Sequence, residues 1–225
     1  MQIPAWLLPR PPMPADEETS AAFDALLSRA RASGPGAPIE YSLSAPKWQF
    51  LAHVAERRGL VLHGSGNHAI ARFEPRQADD VDASGNQKAV YGASDGVWPI
   101  FFAIFDRARF PSGIVINTCL FVPGEPEPFY FFSISRPALA QNPWREGSVY
   151  LLPPDTFERA EPVSAGSPSV MTGQVASASP VAPLARLAVA PADFPFLEQV
   201  RGHDDPEMIA RARANPGGFP WLEPA

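Results

Sequence analysis

Proline is the residue that most limits how this chain can fold, since it occurs 28 times among 225 residues. Proline lacks a backbone N–H and fixes φ, so it is poorly tolerated in helix interiors and central strands. So many prolines favour short elements joined by stiff loops and argue against a helical bundle. Because 45% of the residues are apolar, the chain can still bury a substantial core.

The first sixty residues carry helical patterns behind a proline-rich arm. Residues 1–15 predict an extended arm, and residues 16–32 predict a helix with acids at its start and arginines at its end, as the helix dipole favours. A second helix is predicted over residues 46–58, with Gly59 at the position where a helix-ending glycine belongs.

After residue 60 the pattern changes to short β-prone runs. The predicted strands are residues 60–62, 88–91, 114–122, 129–134, 149–152 and 184–189. The third and fourth of these are predicted to form a hairpin. A helix containing Pro99 in its first turn follows Ser94 or Asp95 as its cap, and a last helix is predicted over residues 205–214.

Two polar segments separate these strands. Residues 65–87, which include Asp79, Asp80 and Asp82, predict a long exposed loop, and long loops in compact domains are often functional. Residues 160–182 are rich in small residues. The whole pattern predicts an α+β fold, with an N-terminal arm and helical extension over residues 1–59 and an α+β domain over residues 60–225, forming one compact unit.

Charge and cysteine content narrow the function classes. The net charge of −6 gives no sign of the basic surface that binds nucleic acid. The single cysteine, Cys119, rules out a disulfide framework and a cysteine-rich zinc site. No run approaches the roughly 18 apolar residues of a membrane span, and the first residues lack a signal-peptide pattern, so we expect a cytoplasmic protein.

Two strand ends carry the most specific residues. One run, Leu-Val-Leu-His-Gly-Ser, ends in His63, Gly64 and Ser65, and a second run places Tyr91 before a turn of small residues. An imidazole and a phenol at two strand ends suit a planar polar ligand, and Gly64 permits close approach to the backbone. A core histidine and a half-buried packing tyrosine are the alternative interpretations.

This pair, with Val-Tyr-x-Ala-Ser-x-Asp and the helix that follows it, resembles the NAD-binding half of ADP-ribosyltransferases of the His-Tyr-[Glu/Asp/Gln] branch. That branch includes diphtheria-toxin-like enzymes, poly-ADP-ribose polymerases and rifampin-modifying transferases. The resemblance covers residues 60–107 and implies split antiparallel β-sheets. It implies that His63 binds the nicotinamide-side ribose, that the backbone at Gly64 holds the carboxamide, and that Tyr91 stacks on the nicotinamide.

The resemblance also requires a third residue at the start of a late strand, where it orients the ribose or stabilises a cationic transition state. Gln174 is the best-placed candidate, with Asp155 and Glu158 as rivals. Glutamine can position a hydroxyl but cannot offset positive charge as a carboxylate does. A solvated loop residue is the alternative interpretation of Gln174, so the identity of the third residue stays open at this point.

The remaining candidates come from the same two motifs and the segment between them. The resemblance adds Ser65 and Ser94 to the NAD contacts. Arg72 and Arg76, which flank Phe-Glu-Pro, are candidates for binding the pyrophosphate, with a surface role as the alternative interpretation. No metal is expected, because the histidines have no partner at ligand spacing.

The leading hypothesis is therefore an NAD-dependent transferase acting on an unidentified acceptor. The alternatives are a non-catalytic module that binds a nucleotide or ADP-ribose-like ligand, and a bacterial accessory or immunity-type protein that meets a protein partner.

Overall fold

The computed structural model describes residues 3–13, 16–77, 87–159 and 169–221, and within these residues it is a mixed α+β protein. The helices are α1 Glu17–Ala32, α2 Lys47–Glu56, α3 Trp98–Ile104, α4 Arg136–Leu139 and α5 Asp205–Ala214. The strands are β1 Leu8–Pro9, β2 Ala37–Pro38, β3 Val61–Ser65, β4 Arg76–Gln77, β5 Lys88–Ala93, β6 Val115–Phe121, β7 Phe129–Ser135, β8 Gly147–Leu152, β9 Glu158–Arg159, β10 Met171–Thr172, β11 Gln174–Ser177, β12 Ala185–Val189 and β13 Arg201–His203.

The smaller sheet is built on the predicted hairpin. It has the order β1-β7-β6-β10, and β13 pairs in parallel with β7. The hairpin of β6 and β7 is confirmed, with Val115 opposite Ile134 and Leu120 opposite Phe129. The proline-rich arm is held by this sheet, because β1 pairs with β7.

The larger sheet has the order β2-β12-β8-β3-β5-β11-β9, with β4 paired to β5. Its pairings are antiparallel except that between β2 and β12. In this order β5 lies between β3 and β11. Along the chain, however, β11 is separated from β5 by several elements, including the hairpin of β6 and β7.

Helix α3 lies directly on β3 and β8 because glycines face it. A Cβ added to Gly64 would lie 1.8 Å from the Pro99 carbonyl oxygen, and one added to Gly147 would lie 2.0 Å from the Ala103 carbonyl oxygen. No side chain fits in either space. Glycine at these positions is therefore required by the contact between helix and sheet.

The helical extension shares the main core with the sheets. Phe23 of α1 and Leu51 of α2 lie in the same buried cluster as Ile100 of α3 and Leu151 of β8. Asp16 caps α1 through a hydrogen bond from the Thr19 backbone N–H. The helices predicted over residues 16–32 and 46–58 are thus confirmed within a residue or two of their ends.

The two polar segments contain more structure than the sequence suggested. Phe73, in the first of them, is buried and pairs with Val181, and β4 lies in the same segment. Residues 78–86, with the three aspartates, lie outside the described residues. The second segment contains β10 and β11, which its many small residues had concealed, while residues 160–168 lie outside the described residues. Among the described helices, none is long and apolar enough to cross a membrane.

Candidate functional site

The site begins where β3 and β5 separate. These strands are in register at Leu62 opposite Ala93. The other edge of β3 is paired with β8 along its whole length, from Val61 opposite Leu152 to Ser65 opposite Ser148. Beyond Leu62, one edge of β3 therefore faces a gap rather than a paired strand.

Gly64 presents its backbone to this gap. A Cβ added to Gly92 of β5 would lie 3.3 Å from the Leu62 carbonyl oxygen, so that carbonyl points towards β5. Backbone hydrogen-bonding groups alternate between the two edges of an antiparallel strand. Gly64, two residues after Leu62, consequently directs its N–H and C=O to the same edge, past the end of the pairing with β5.

His63 crosses the gap. Its Nδ1 lies 2.7 Å from the Tyr91 carbonyl oxygen. Since a carbonyl can only accept, Nδ1 carries the proton, and the neutral ring leaves Nε2 as an acceptor. The imidazole packs against Phe73, with ring centroids 4.6 Å apart. Burial lowers the pKa of His63, although the backbone hydrogen bond acts in the opposite direction, so the ring is neutral near pH 7.

The Tyr91 side chain lies on the face of the larger sheet opposite to that of His63. A Cβ on Gly92 would lie 2.2 Å from Val61 Cγ1, so position 92 shares a face with Val61 and hence with His63. Because side chains alternate along a strand, Tyr91 points to the opposite face. The two rings therefore lie on opposite faces of the larger sheet, whereas the sequence predicts that they line one cleft. The contact between the two residues is made by the Tyr91 backbone carbonyl, whose oxygen lies 2.7 Å from His63 Nδ1.

The Tyr91 side chain is anchored to its own strand. Its hydroxyl accepts a 2.7 Å hydrogen bond from the Gln87 backbone N–H and donates to the Gln87 carbonyl oxygen at 3.2 Å. The ring is half-buried. An aromatic ring fixed in this way offers a ligand a surface that needs little reorganisation.

Gln174 is the first residue of β11 and lies directly opposite Ala93. Residues opposite each other on paired strands share a face of the sheet, so the side chains of Gln174 and Ala93 are on the same face. Tyr91, two residues before Ala93 on β5, is on that face as well. Ser94 fixes this junction, because its backbone N–H donates to the Gly173 carbonyl oxygen at 2.8 Å and its hydroxyl donates to the same oxygen at 3.3 Å. The structure thus brings Gln174 next to β5, whereas the sequence placed it in a segment of small residues.

The rivals of Gln174 are in different situations. Glu158 of β9 lies opposite Ala176, which in turn lies opposite Tyr91, so its exposed carboxylate is on the Tyr91 face. Asp155 is exposed in the turn before β9, outside the paired strands. Of the two carboxylates, only that of Glu158 is in a strand row with Tyr91.

The other two candidates lie near the edges of the gap. Ser65 Oγ accepts a 3.1 Å hydrogen bond from the Asn67 backbone N–H, which leaves its hydroxyl proton for another partner. Arg76 is exposed on β4, opposite Ala89 of β5. Both are therefore on strands next to the gap rather than inside it.

A buried polar network behind the site was missed by the sequence reasoning. Asp95, fully buried, accepts hydrogen bonds from the N–H groups of Val97 and Trp98 at 2.9 and 2.7 Å. The N-cap position of α3 is Val97, so of Ser94 and Asp95 it is Asp95 that bonds to the start of the helix, from two residues before the N-cap. Burial raises the pKa of Asp95, opposed by these hydrogen bonds and by one from Tyr130. The turn after Tyr91 is therefore rigidly held.

Arg10 extends this network from the proline-rich arm. Its guanidinium is buried and forms ion pairs with Glu56 of α2 and Glu127, in the turn between β6 and β7. These partners are 46 and 117 residues away in the sequence. No local pattern signals such a contact, and an arginine in an arm is ordinarily exposed.

Comparisons with protein-family models, with curated proteins and with solved structures gave no match to this chain. Within the described residues, no group of three or more His, Cys, Asp or Glu side chains is arranged to hold a metal ion. The interpretation of the site therefore rests on its own residues and geometry.

Proposed function

We propose that this protein binds NAD, with the nicotinamide in the gap between β3 and β5, and transfers ADP-ribose to an acceptor on an ADP-ribosyltransferase-like fold. The observation that carries the proposal is the end of strand pairing at Leu62, which leaves the backbone of Gly64 facing the gap. A carboxamide has one N–H donor group and one C=O acceptor on the same side, as a strand edge has. Nicotinamide is therefore complementary to this edge.

The neighbouring side chains suit the rest of the nicotinamide riboside. The free Nε2 of His63 is an acceptor, which matches a ribose hydroxyl donor. The Tyr91 ring, held at its hydroxyl by Gln87, offers an aromatic face to the nicotinamide. Clamping the leaving group and fixing the ribose both favour cleavage, since they hold the reacting atoms in place.

The reaction breaks the bond between ribose C1′ and the nicotinamide nitrogen. Nicotinamide leaves as a neutral molecule with the electron pair, and an acceptor nucleophile then bonds to C1′. Positive charge develops on the ribose in between, so an electronegative group nearby stabilises the transition state. Gln174 supplies a hydrogen-bonding amide there, without a charge.

The uncharged Gln174 also favours a second function, namely NAD binding without cleavage. In that case NAD raises the melting temperature of the protein by mass action, yet no nicotinamide is released. The two functions are therefore separated by measuring ligand-induced stabilisation and nicotinamide release on the same preparation.

The test compares NAD binding, by calorimetry, between the wild type and variants of Tyr91. Tyr91→Ala is expected to weaken NAD binding about tenfold, because stacking on an aromatic side chain contributes about 1–3 kcal/mol. Tyr91→Phe keeps the ring and should bind within about threefold of the wild type. Tyr41→Phe, in the N-terminal region, removes a hydroxyl that bonds the Ala45 carbonyl and serves as the matched control. Absence of NAD binding to the wild type would refute the proposal.

A further inference from the structure

A small cavity is lined by residues of α4, β13 and α5, at the smaller sheet. Each of these elements contributes one arginine to the lining: Arg136 of α4, Arg201 of β13 and Arg211 of α5. We call it the arginine cavity. Its volume is about 200 Å³, and no residue of the larger sheet belongs to its lining. The arginine cavity is therefore separate from the gap between β3 and β5.

The arginine cavity concentrates positive charge in a protein whose net charge is −6. Its lining contains two acidic side chains, Asp204 and Glu207, beside the three guanidinium groups. Both carboxylates already have partners within α5 or at its start. Asp204 Oδ1 accepts the Glu207 backbone N–H at 3.1 Å, and Glu207 Oε2 accepts from Arg211 Nη2 at 3.4 Å. The lining consequently has an excess of one positive charge.

Arg136 and Arg201 carry the charge that is not neutralised. Both side chains are exposed, and neither forms an ion pair with any other residue that the structure describes. Arg136 lies close to β13, because a Cβ added to Gly202 would lie 3.4 Å from both Cα and Cγ of Arg136. Gly202 thus brings the arginine of α4 up to the strand that carries Arg201.

His203 is the buried polar side chain of the lining, with an exposed fraction of 7%. Ser133 Oγ donates to the Arg201 carbonyl oxygen at 3.2 Å, so His203 Nδ1, 2.7 Å from Ser133 Oγ, carries a proton and donates it to that hydroxyl. The other ring nitrogen, Nε2, is buried and hydrogen-bonds to no residue of the described part of the chain.

The unpartnered Nε2 of His203 lies 3.2 Å from Asp205 Oδ1. In the neutral ring both atoms are acceptors, and buried polar atoms are nearly always hydrogen-bonded. A proton on Nε2 satisfies both atoms and adds a positive charge to the wall of the arginine cavity. An anion bound in the cavity favours this protonated ring, because opposite charges attract.

Trp221 gives the arginine cavity an aromatic side. Its indole N–H donates to the Asn215 carbonyl oxygen at 2.9 Å, and its ring packs edge-on against Phe219, with centroids 5.4 Å apart. Arg211 Nη1 donates to the Trp221 carbonyl oxygen at 3.4 Å. An apolar ring is therefore held next to one of the guanidinium groups.

We infer that the arginine cavity binds a small phosphate monoester, with the three guanidinium groups around the phosphoryl oxygens and Trp221 beside the organic group. The planar fork of N–H donors in arginine matches phosphate oxygens in both geometry and charge. The volume of about 200 Å³ is below the roughly 300–1,000 Å³ of sites for drug-sized molecules, so the ligand is a phosphoryl group with a small substituent. This site does not depend on NAD binding, since its residues are not those of the gap.

The test measures binding of phenyl phosphate and of inorganic phosphate by calorimetry at low ionic strength, without NAD. Phenyl phosphate is expected to bind with a dissociation constant below about 1 mM, and inorganic phosphate about fivefold more weakly, because it has no ring to pack against Trp221. Dissociation constants above about 10 mM for both probes would overturn the site. Equal or weaker binding of phenyl phosphate than of inorganic phosphate would overturn the assignment to a monoester.

The arginines are tested one at a time. Arg136→Gln and Arg201→Gln are each expected to weaken phenyl phosphate binding about tenfold, because each removes charge-assisted hydrogen bonds to the phosphoryl group. Both positions are exposed, so the melting temperature without ligand should stay at the wild-type value. Arg29→Gln, at an exposed position of α1, changes the net charge equally and should bind phenyl phosphate within about twofold of the wild type. An equal loss in all three variants would attribute binding to net charge and overturn the site.

His203 provides a second measurement, with sulfate as the probe because its charge is constant over the pH range used. Burial lowers the pKa of His203 below 6.5, and Arg136 acts in the same direction, whereas Asp205 and Asp204 oppose it. Sulfate should therefore bind more tightly as the pH falls from about 7.5 to about 5, since the bound anion favours the protonated ring. His203→Gln should remove this increase. An unchanged increase in His203→Gln would exclude His203 from the site.

NAD binding distinguishes this site from the proposed function. Arg136→Gln and Arg201→Gln should bind NAD with wild-type affinity. If both variants lost NAD binding, the arginine cavity would hold the phosphates of NAD, and a separate phosphate site would be overturned. If the wild type bound phenyl phosphate but not NAD, the proposed function would fail while the phosphate site would stand.

Discussion

The hydroxyl of Tyr130 donates a 2.5 Å hydrogen bond to Asp95 Oδ2, and this contact joins the smaller sheet to the turn that follows β5. Asp95 Oδ1 accepts from the N–H groups of Val97, just before α3, and of Trp98, its first residue, so one side chain bonds to both the sheet and the start of the helix. The position of this turn, which directly follows the gap, therefore depends on a single buried carboxyl group.

Replacing Asp95 by alanine is expected to lower the free energy of unfolding by about 3 kcal/mol or more, because buried donors lose their acceptor at about 1–3 kcal/mol each. Asp95→Asn keeps the Oδ1 acceptor for Val97 and Trp98 and should cost less. Urea unfolding followed by circular dichroism measures both variants. If Asp95→Ala and Asp95→Asn lowered the free energy of unfolding equally, the negative charge of Asp95, rather than its hydrogen bonds to Val97 and Trp98, would be the stabilising property.

The pH dependence of stability is predicted from His63. Its folded-state pKa is lowered below 6.5, so between the two pKa values the unfolded chain binds more protons. The stability contribution is complete above pH 6.5 and is lost as pH falls towards and through the folded pKa. His203, also lowered mainly by burial, adds to the same trend. Urea unfolding from pH 7.5 to about 5 should show this decrease, and His63→Gln should reduce its slope.

Gly64→Ala is expected to destabilise the protein by about 3 kcal/mol, since overpacking costs about 1–3 kcal/mol and the added Cβ meets the backbone of α3 rather than a movable side chain. Gly217→Ala is the matched control, because the nearest atom to its Cβ is 3.9 Å away. Thermal unfolding of both variants checks this. A wild-type melting temperature for Gly64→Ala would contradict the close contact between β3 and α3.

Arg10→Met is expected to lower stability by about 3–5 kcal/mol, because it leaves Glu56 and Glu127 without their buried partner. Arg29→Met, at an exposed position on α1, should change stability by less than about 0.5 kcal/mol. Chemical unfolding compares the two. A small loss for Arg10→Met would mean that the arm is not a structural part of the core.

Gln174→Glu is expected to increase nicotinamide release from NAD about tenfold, because a carboxylate at the start of β11 stabilises positive charge on the ribose. Gln174→Ala removes the hydrogen-bonding group and should lower the rate. Steady-state measurement of nicotinamide tests both variants, with unfolding measured in parallel. A rate for Gln174→Glu at or below that of the wild type would place residue 174 away from the reacting ribose.

Local sequence determined the elements whose partners are close along the chain. The helix α1, its Asp16 cap and the hairpin of β6 and β7 follow from helical periodicity, capping chemistry and β-propensity over a few residues, and the structure confirms them. The pair of His63 and Tyr91 could also be singled out, because a histidine and a tyrosine at the ends of apolar runs next to small residues are visible in the sequence itself.

Only the tertiary structure decided how the strands that carry His63 and Tyr91 are arranged. The separation of β3 from β5 after Leu62, the face to which Tyr91 points and the place of β11 beside β5 all depend on strand register, which joins residues 31 to 87 positions apart. Such pairings leave no periodic signal, and β11, with small residues in half of its positions, has no clear pattern of its own. The sequence by itself determined which residues could hold a ligand, and strand pairing decided where, because register is a non-local property.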